Sequence, residues 1–180
     1  MTKDLLHSFQ LAKKQDSKAQ KSLYEAFSGK MLAIANSYVG NIYDAEDVLM
    51  NSFFIAFTKI NDCKTAESFP FWLRKIVINN SIDFIRKNKN LLYFNDDFEN
   101  LENEKEEELN ENQFIDINIE EIFAEMPIGY KLVFNLFIFE NKKHSEISKI
   151  LNINEGTSKS QLNKAKKWLI EYFKKEKDAK

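Results

Sequence analysis

Apolar residues recur at three- and four-residue intervals along most of the chain, whereas sustained alternation of period two is scarce. Only Pro70, Pro127 and four glycines interrupt the pattern, so the expected fold class is all-α. Leu5, Leu6, Phe9, Leu11 and Ala12 predict a short first helix. Ser17 is placed to cap a second, which turns Ala19, Leu23, Ala26, Phe27, Met31, Ile34, Ala35 and Tyr38 inward and ends at Gly40-Asn41. A third is expected from an N-cap at Asp44 to about Ile60, burying Ala45, Val48, Leu49, Ser52, Phe53, Ala56, Phe57 and Ile60. After the polar connector at residues 61–68, a fourth begins near Phe69, because proline fits a first helical turn. Phe69, Trp72, Leu73, Ile76, Val77, Asn80 and Phe84 share its face, which Ile78, Ile82 and Ile85 widen. Such breadth implies burial between helices, with Trp72 as core and base stacking as the lesser alternative.

Residues 91–118 break this periodicity, with 1 lysine against 10 acids. A stretch so acidic resists compaction and reads as a linker between two small helical domains at residues 1–90 and 119–180. Beyond it, Ile119, Ile122, Phe123 and Met126 predict a helix stopped by Pro127, and Tyr130, Val133, Phe134, Phe137 and Ile138 predict the next. Ile147, Ile150 and Leu151 then mark a short helix, with Ile153 packing at a tight turn. Glu155-Gly156-Thr157 opens a longer one, apolar through Leu162, Ala165, Leu169 and Phe173 and mostly basic on its other side. This pair suits a helix-turn-helix in a major groove, while a basic helical pair touching only a protein partner stays open on pattern alone.

The total net charge of -2 conceals its distribution. Residues 1–90 carry 13 Lys/Arg against 9 Asp/Glu, and residues 119–180 carry 12 against 9. Two mildly basic segments flanking an acidic connector let the ends meet phosphates while the middle avoids them. Arg74, Lys75, Arg86, Lys87 and Lys89 supply part of that charge, although a solvated face explains such a run equally simply. Asp44, Glu46 and Asp47 gain from the amides and dipole of a helix start. Without a neighbouring base, nucleophile or metal ligand they make a poor catalytic group. Cys63, His7 and His144 are too few for a Cys/His zinc site, so no metal and no cofactor is expected. One cysteine allows no intrachain disulfide, and a reducing cytoplasm is the expected setting. The start, MTKDLLHSF, lacks a secretion signal's apolar core, and no apolar run approaches the roughly 20 residues that span a bilayer.

Three quoted stretches together resemble bacterial sigma-70-type initiation factors, and more narrowly the short extracytoplasmic-function (ECF) group with only the second and fourth sigma regions. They are DAEDVLMNSFFIAF from Asp44, FPFWLRKIVINNSIDFIRKNK from Phe69, and YKLVFNLFIFENKKHSEISKILNINEGTSKSQLNKAKKWL from Tyr130. The resemblance implies that residues 1–90 form a region 2-like bundle binding core polymerase and the promoter -10 element. Residues 119–180 would form a region 4-like domain binding the -35 element. It implies core-polymerase contacts at Asp44, Glu46, Asp47 and Asn51, and -10 DNA contacts at Asn61, Lys64, Ser68, Asn80, Asp83, Arg86, Lys87 and Lys89. For -35 DNA it implies Thr157, Ser158, Lys159, Gln161, Asn163, Lys164, Lys166 and Lys167. The implied partners are the beta and beta-prime subunits of core RNA polymerase, promoter DNA and an anti-sigma factor, with no direct membrane insertion. The protein itself would make no bond; polymerase would supply the phosphoryl transfer, so no enzyme activity is expected.

Two departures stand out. Members often carry Gln-Glu after the acidic motif, where this chain has Met50-Asn51. The usual arginine-rich run is here Ser160-Gln161-Leu162-Asn163-Lys164-Ala165-Lys166, leaving Gln161 as a candidate reader of an adenine edge and lysines as point charges on phosphates. With only two arginines in the chain, compositional bias explains the lysines as readily. A stand-alone helix-turn-helix regulator and a polymerase-binding protein that does not read DNA are the rival readings.

Overall fold

The computed structural model describes residues 3–88 and 119–178; the acidic stretch expected at 91–118 lies outside them. The chain divides into two compact units, Met1–Lys89 and Asn90–Lys180. The described residues are helical with turns and contain no strand.

The first unit comprises α1 (Lys3–Ala12), α2 (Ser17–Val39), α3 (Ile42–Thr58), a one-turn 3-10 helix at Ile60–Asp62, and α4 (Phe69–Asn88). Its helices start one to three residues from where the sequence put their caps. Asp16, not Ser17, caps α2, its carboxylate accepting the Ala19 N–H at 2.8 Å. Asn41, not Asp44, caps α3, accepting from the N–H groups of Tyr43 (2.9 Å) and Asp44 (3.3 Å). An uncharged side chain of the right reach closes the exposed amides, and Asp44 then falls inside the first turn, where the dipole still favours it. Between the two helices Gly40 takes the left-handed conformation (φ 73°) that ends α2.

Phe9 and Phe69 are fully buried with ring centroids 5.6 Å apart, and Phe27 meets Phe69 edge-on. Burying each ring contributes roughly 1.5–3 kcal/mol. Ala12, Ala19, Ala35, Ala45 and Ala56 are buried too, and their small size lets helix backbones approach closely. On α4 the inward face is Phe69, Leu73, Val77, Ile78, Ser81, Ile82 and Ile85. Trp72, Ile76, Asn80 and Phe84 lie at its half-buried rim, so the face is rotated relative to the sequence expectation. Leu6, expected inward, remains 43% exposed, and Ala26 also faces solvent.

The second unit comprises α5 (Ile119–Glu125), α6 (Ile128–Phe134), α7 (His144–Leu151) and α8 (Glu155–Asp178). A π turn at Asn135–Phe139 extends α6, where Glu140 N–H reaches back to the Asn135 carbonyl at 3.1 Å. α8 packs against both α6 and α7. Ile122, Met126 and Leu169 form a core cluster that Tyr130, Phe134, Trp168, Tyr172 and Phe173 surround. Seven-residue α5 and α6 do not persist alone in water, so this core holds them, and eight-residue α7 is held by its packing against α8.

Replacing Asn41 with Ala should cost about 1 kcal/mol of stability. Asp44→Ala, which removes only a charge near the dipole, should cost roughly 0.5 kcal/mol. Urea unfolding followed by circular dichroism distinguishes them; the reverse order would contradict the observed cap.

Candidate functional site

On α3 the helical repeat separates two faces. Ala45, Val48, Leu49, Ser52, Phe53 and Ala56 turn inward. The opposite side carries Tyr43 (76% exposed), Met50 (60%) and Phe54 (71%), with the exposed carboxylates of Glu46 and Asp47 between them. Asp44 is half-buried and Asn51 exposed. Large apolar side chains standing this open along one side of a 17-residue helix form an exposed apolar stripe. The three apolar members were missed in the sequence, although Tyr43, Asp47, Met50 and Phe54 follow the four-three-four spacing of a helical stripe.

Asn51, expected to meet polymerase, and Asn80, expected to meet DNA, meet each other. Asn51 Nδ2 donates to Asn80 Oδ1 at 3.3 Å, and Asn80 Nδ2 donates to Ser52 Oγ at 3.1 Å. The Ser52 hydroxyl, fully buried, donates to the Val48 carbonyl at 2.6 Å. Both Asn80 amide groups are therefore engaged in joining α3 to α4.

The connector between α3 and α4 is preformed. Ile60, Cys63 and Ala66 are buried beneath it. Ser68 Oγ donates to the Thr65 carbonyl at 2.8 Å and accepts the Thr65 N–H at 3.3 Å, and Ser68 N–H reaches Thr65 Oγ1 at 3.2 Å. The Cys63 thiol donates to the Thr65 carbonyl at 3.4 Å and lies equally close to Ser68 Oγ. The Ser68 hydroxyl thus holds the loop, while Asn61, Lys64 and Thr65 are exposed along it. Phe71, in the first turn of α4, presents a ring 76% exposed. Trp72 instead packs at the core rim, 6.1 Å from Phe69. Farther along α4, Asp83 and Arg86 pair at 3.0 Å with Lys87 exposed beside them; Lys89 lies outside the described residues.

In the second unit, α7 starts with Glu146 accepting the Lys143 N–H at 2.9 Å, a bond that holds its carboxyl below the usual carboxylate range. α7 ends at Asn152, whose left-handed backbone (φ 55°) turns the chain. Asn154 then caps α8 by accepting the Thr157 N–H at 2.7 Å. A side chain on Gly156 would approach that Asn154 oxygen to 3.2 Å, so the glycine leaves the cap room.

Ser158 and Gln161, expected to face DNA, are buried at 0% and 5% exposure. The reason is periodicity: Ser158 precedes Leu162 by four residues and Gln161 precedes Ala165 by four, which puts both on the core side. That signal was present in the sequence. The Gln161 amide therefore faces the core, and its Oε1 makes no hydrogen bond among the described residues. The outward stripe is Lys159, Asn163 and Lys167, flanked by half-exposed Thr157, Lys164 and Lys166. His144, at the start of α7, bonds Ser158 through Nδ1 at 2.8 Å.

No helix among the described residues is long and apolar enough to cross a membrane, and no group of three or more His, Cys, Asp or Glu among them is placed to hold a metal. The described residues form a helical bundle with an acidic-apolar helix face, followed by a helix-turn-helix unit with basic residues on its outward face. Residues 23–91 match the family model for sigma-70 region 2, and residues 116–169 match that for sigma-70 region 4. RNA polymerase sigma factor SigV of Bacillus subtilis (strain 168) is 33% identical over 135 residues, covering 74% of this chain and 78% of that protein. ECF RNA polymerase sigma factor SigW of the same strain is 26% identical over 168 residues, covering 87% and 90%. CnrH, solved in complex with the cytosolic domain of CnrY, shares the fold at TM-score 0.51 and 15% identity, over 95% of this chain and 97% of that one. The chain belongs to the sigma-70 family of RNA polymerase sigma factors, in its ECF group, and directs polymerase to promoters.

Replacing Gln161 with Met should raise stability by up to about 1 kcal/mol, because a buried unpaired oxygen gives way to apolar atoms of similar shape. Promoter preference in a pool of variant -35 sequences should not change. A shifted preference would show that the amide turns outward on DNA.

Proposed function

We propose that the outward face of α3 docks on core polymerase, that the α3–α4 connector and the start of α4 hold melted -10 DNA, and that the lysine stripe of α8 anchors -35 DNA. The observation that carries this division is the α3 face, where Tyr43, Met50 and Phe54 stand exposed among carboxylates. Apolar anchors ringed by charge suit a protein interface, and the negative charge there disfavours DNA. Asp44, Glu46 and Asp47 steer that contact, and Tyr43, Met50 and Phe54 supply its desolvated centre.

The preformed connector suits capture of an unpaired base, since a loop already closed by Ser68 and Thr65 loses little entropy on binding. Asn61 and Lys64 offer its exposed polar groups, and the Phe71 ring beside it offers a stacking face. Arg86 and Lys87 continue the charge toward the backbone. Asn80 and Ser68 act from beneath, positioning rather than touching DNA. In the -35 domain Lys159, Asn163 and Lys167 face DNA with Thr157, Lys164 and Lys166 alongside, and Ser158 and Gln161 support the helix from inside. Polymerase supplies the bond-making chemistry in the cytoplasm, and an antagonist that binds CnrH-like folds is the anti-sigma partner this architecture admits.

Transcription with matched core polymerase across a randomised promoter pool tests the reading. Adding the full chain should redirect initiation to a defined promoter class; unchanged initiation, where binding to core is demonstrated, would overturn it. Converting Met50 and Phe54 together to Ala should weaken core binding at least about tenfold, roughly 1.4 kcal/mol, without lowering the unfolding midpoint. Lys159→Ala and Lys167→Ala should each weaken DNA binding evenly across sequences and reduce the slope of log affinity against log salt by about 1. A loss confined to particular bases would assign these lysines to base edges instead.

A further inference from the structure

His144 is a titratable side chain that none of these roles uses, yet the fold fixes its orientation against α8. Its ring stacks on Phe137 of the π turn, with centroids 4.8 Å apart and planes 25° from parallel. Its Nδ1 lies 2.8 Å from the hydroxyl of Ser158, which is fully buried. One ring nitrogen is thereby committed to the protein. Nε2 makes no hydrogen bond among the described residues, and the ring is only partly buried. Ser158 sits between half-exposed Thr157 and exposed Lys159, two of the residues assigned to DNA. A stacked, tethered imidazole loses little rotamer freedom when its free nitrogen finds a partner.

We propose that His144 is a DNA-backbone contact of the -35 domain, donating Nε2–H to a phosphate while Nδ1 stays on Ser158. The inference rests on the assignment of α8 to DNA. The Ser158 hydroxyl rotates to donate to a neutral Nδ1 or to accept from a protonated one, so the tether survives either state.

Proton-linked binding follows. In the free protein burial lowers the His144 pKa, Lys159 of α8 lowers it further, and Glu155 of α8 opposes them. The π turn meets the ring with uncharged Phe137, and Glu146 at the start of α7 is paired with Lys142 at 3.6 Å. A phosphate beside Nε2 favours the imidazolium and raises the pKa in the complex. The bound state then holds more protons than the free one. Affinity therefore rises as pH falls through the raised pKa of the complex, and levels off below the lowered pKa of the free protein.

Phosphate contacts are independent of sequence, so a labelled duplex of arbitrary sequence at low salt is a sufficient probe. Anisotropy titrations with the full chain from about pH 8 to about pH 5 span the histidine range. Affinity should rise about threefold to tenfold on acidification, and the ratio should flatten in His144→Gln, which keeps a neutral donor but does not titrate. His7→Gln, at the exposed histidine of α1, should behave as wild type. In the unaltered protein, proton NMR of the His144 ring should show its pKa rising when duplex is added, which tests the contact independently of any variant's folding. An equal pH slope in His144→Gln, or a ring pKa indifferent to DNA, overturns the contact alone. Absence of duplex binding at low salt overturns the assignment of α8 to DNA and this contact with it.

Discussion

The helical repeat of 3.6 residues ties each outward-facing side chain of this protein to an inward-facing one. A side chain four positions from a core residue shares its face, whatever chemistry it carries. On α3 the inward set of Ala45, Val48, Leu49, Ser52, Phe53 and Ala56 leaves Tyr43, Glu46, Asp47, Met50 and Phe54 outside. Burial of Phe53 and exposure of Phe54 are consequences of one rotation, although the two residues are identical in chemistry. On α8 the same rule draws Ser158 and Gln161 under Leu162 and Ala165 and leaves Lys159, Asn163 and Lys167 outside. Functional surfaces here are what the cores leave over.

Polar residues inside this arrangement join elements. Asn80 links α4 to Ser52 and Asn51 of α3, and Ser68 closes its own loop against Thr65. Buried or half-buried amides and hydroxyls need such partners because an unmet polar group loses about 1–3 kcal/mol on leaving water. The consequence is mechanical: the connector proposed to hold melted DNA is held by the bonds that fix the start of α4. Gln161 Oε1, buried without a bond among the described residues, marks a place where packing outweighs polar satisfaction.

The electrostatic division matches this geometry. Carboxylates accompany apolar side chains on α3, whereas α8 presents Lys159 and Lys167 on its outward side with half-exposed Lys164 and Lys166 beside them. Lysine is a flexible point charge and lacks the planar fork with which arginine grips a guanine edge. With the Gln161 amide turned inward, the outward stripe is suited to phosphates more than to base edges, and the proposed His144 contact would add a donor whose charge depends on pH.

The all-α class, the helix order, the start of α4 at Phe69 and the turn between α7 and α8 were legible in the residues, because periodicity, capping and turn formation depend on near neighbours. The sigma-family resemblance was legible for the same reason, carried by contiguous motifs. Sequence placed the caps of α2 and α3 imprecisely, since Asp16 and Ser17, or Asn41 and Asp44, are each competent by type and only backbone geometry chooses between them. Tertiary structure alone decided the rest: the rotation of α4 that sends Trp72 to the rim, the pairing of Asn51 with Asn80 across 29 positions, and the stacking of His144 on Phe137. Those contacts depend on which helix lies opposite, and no local pattern records the neighbour.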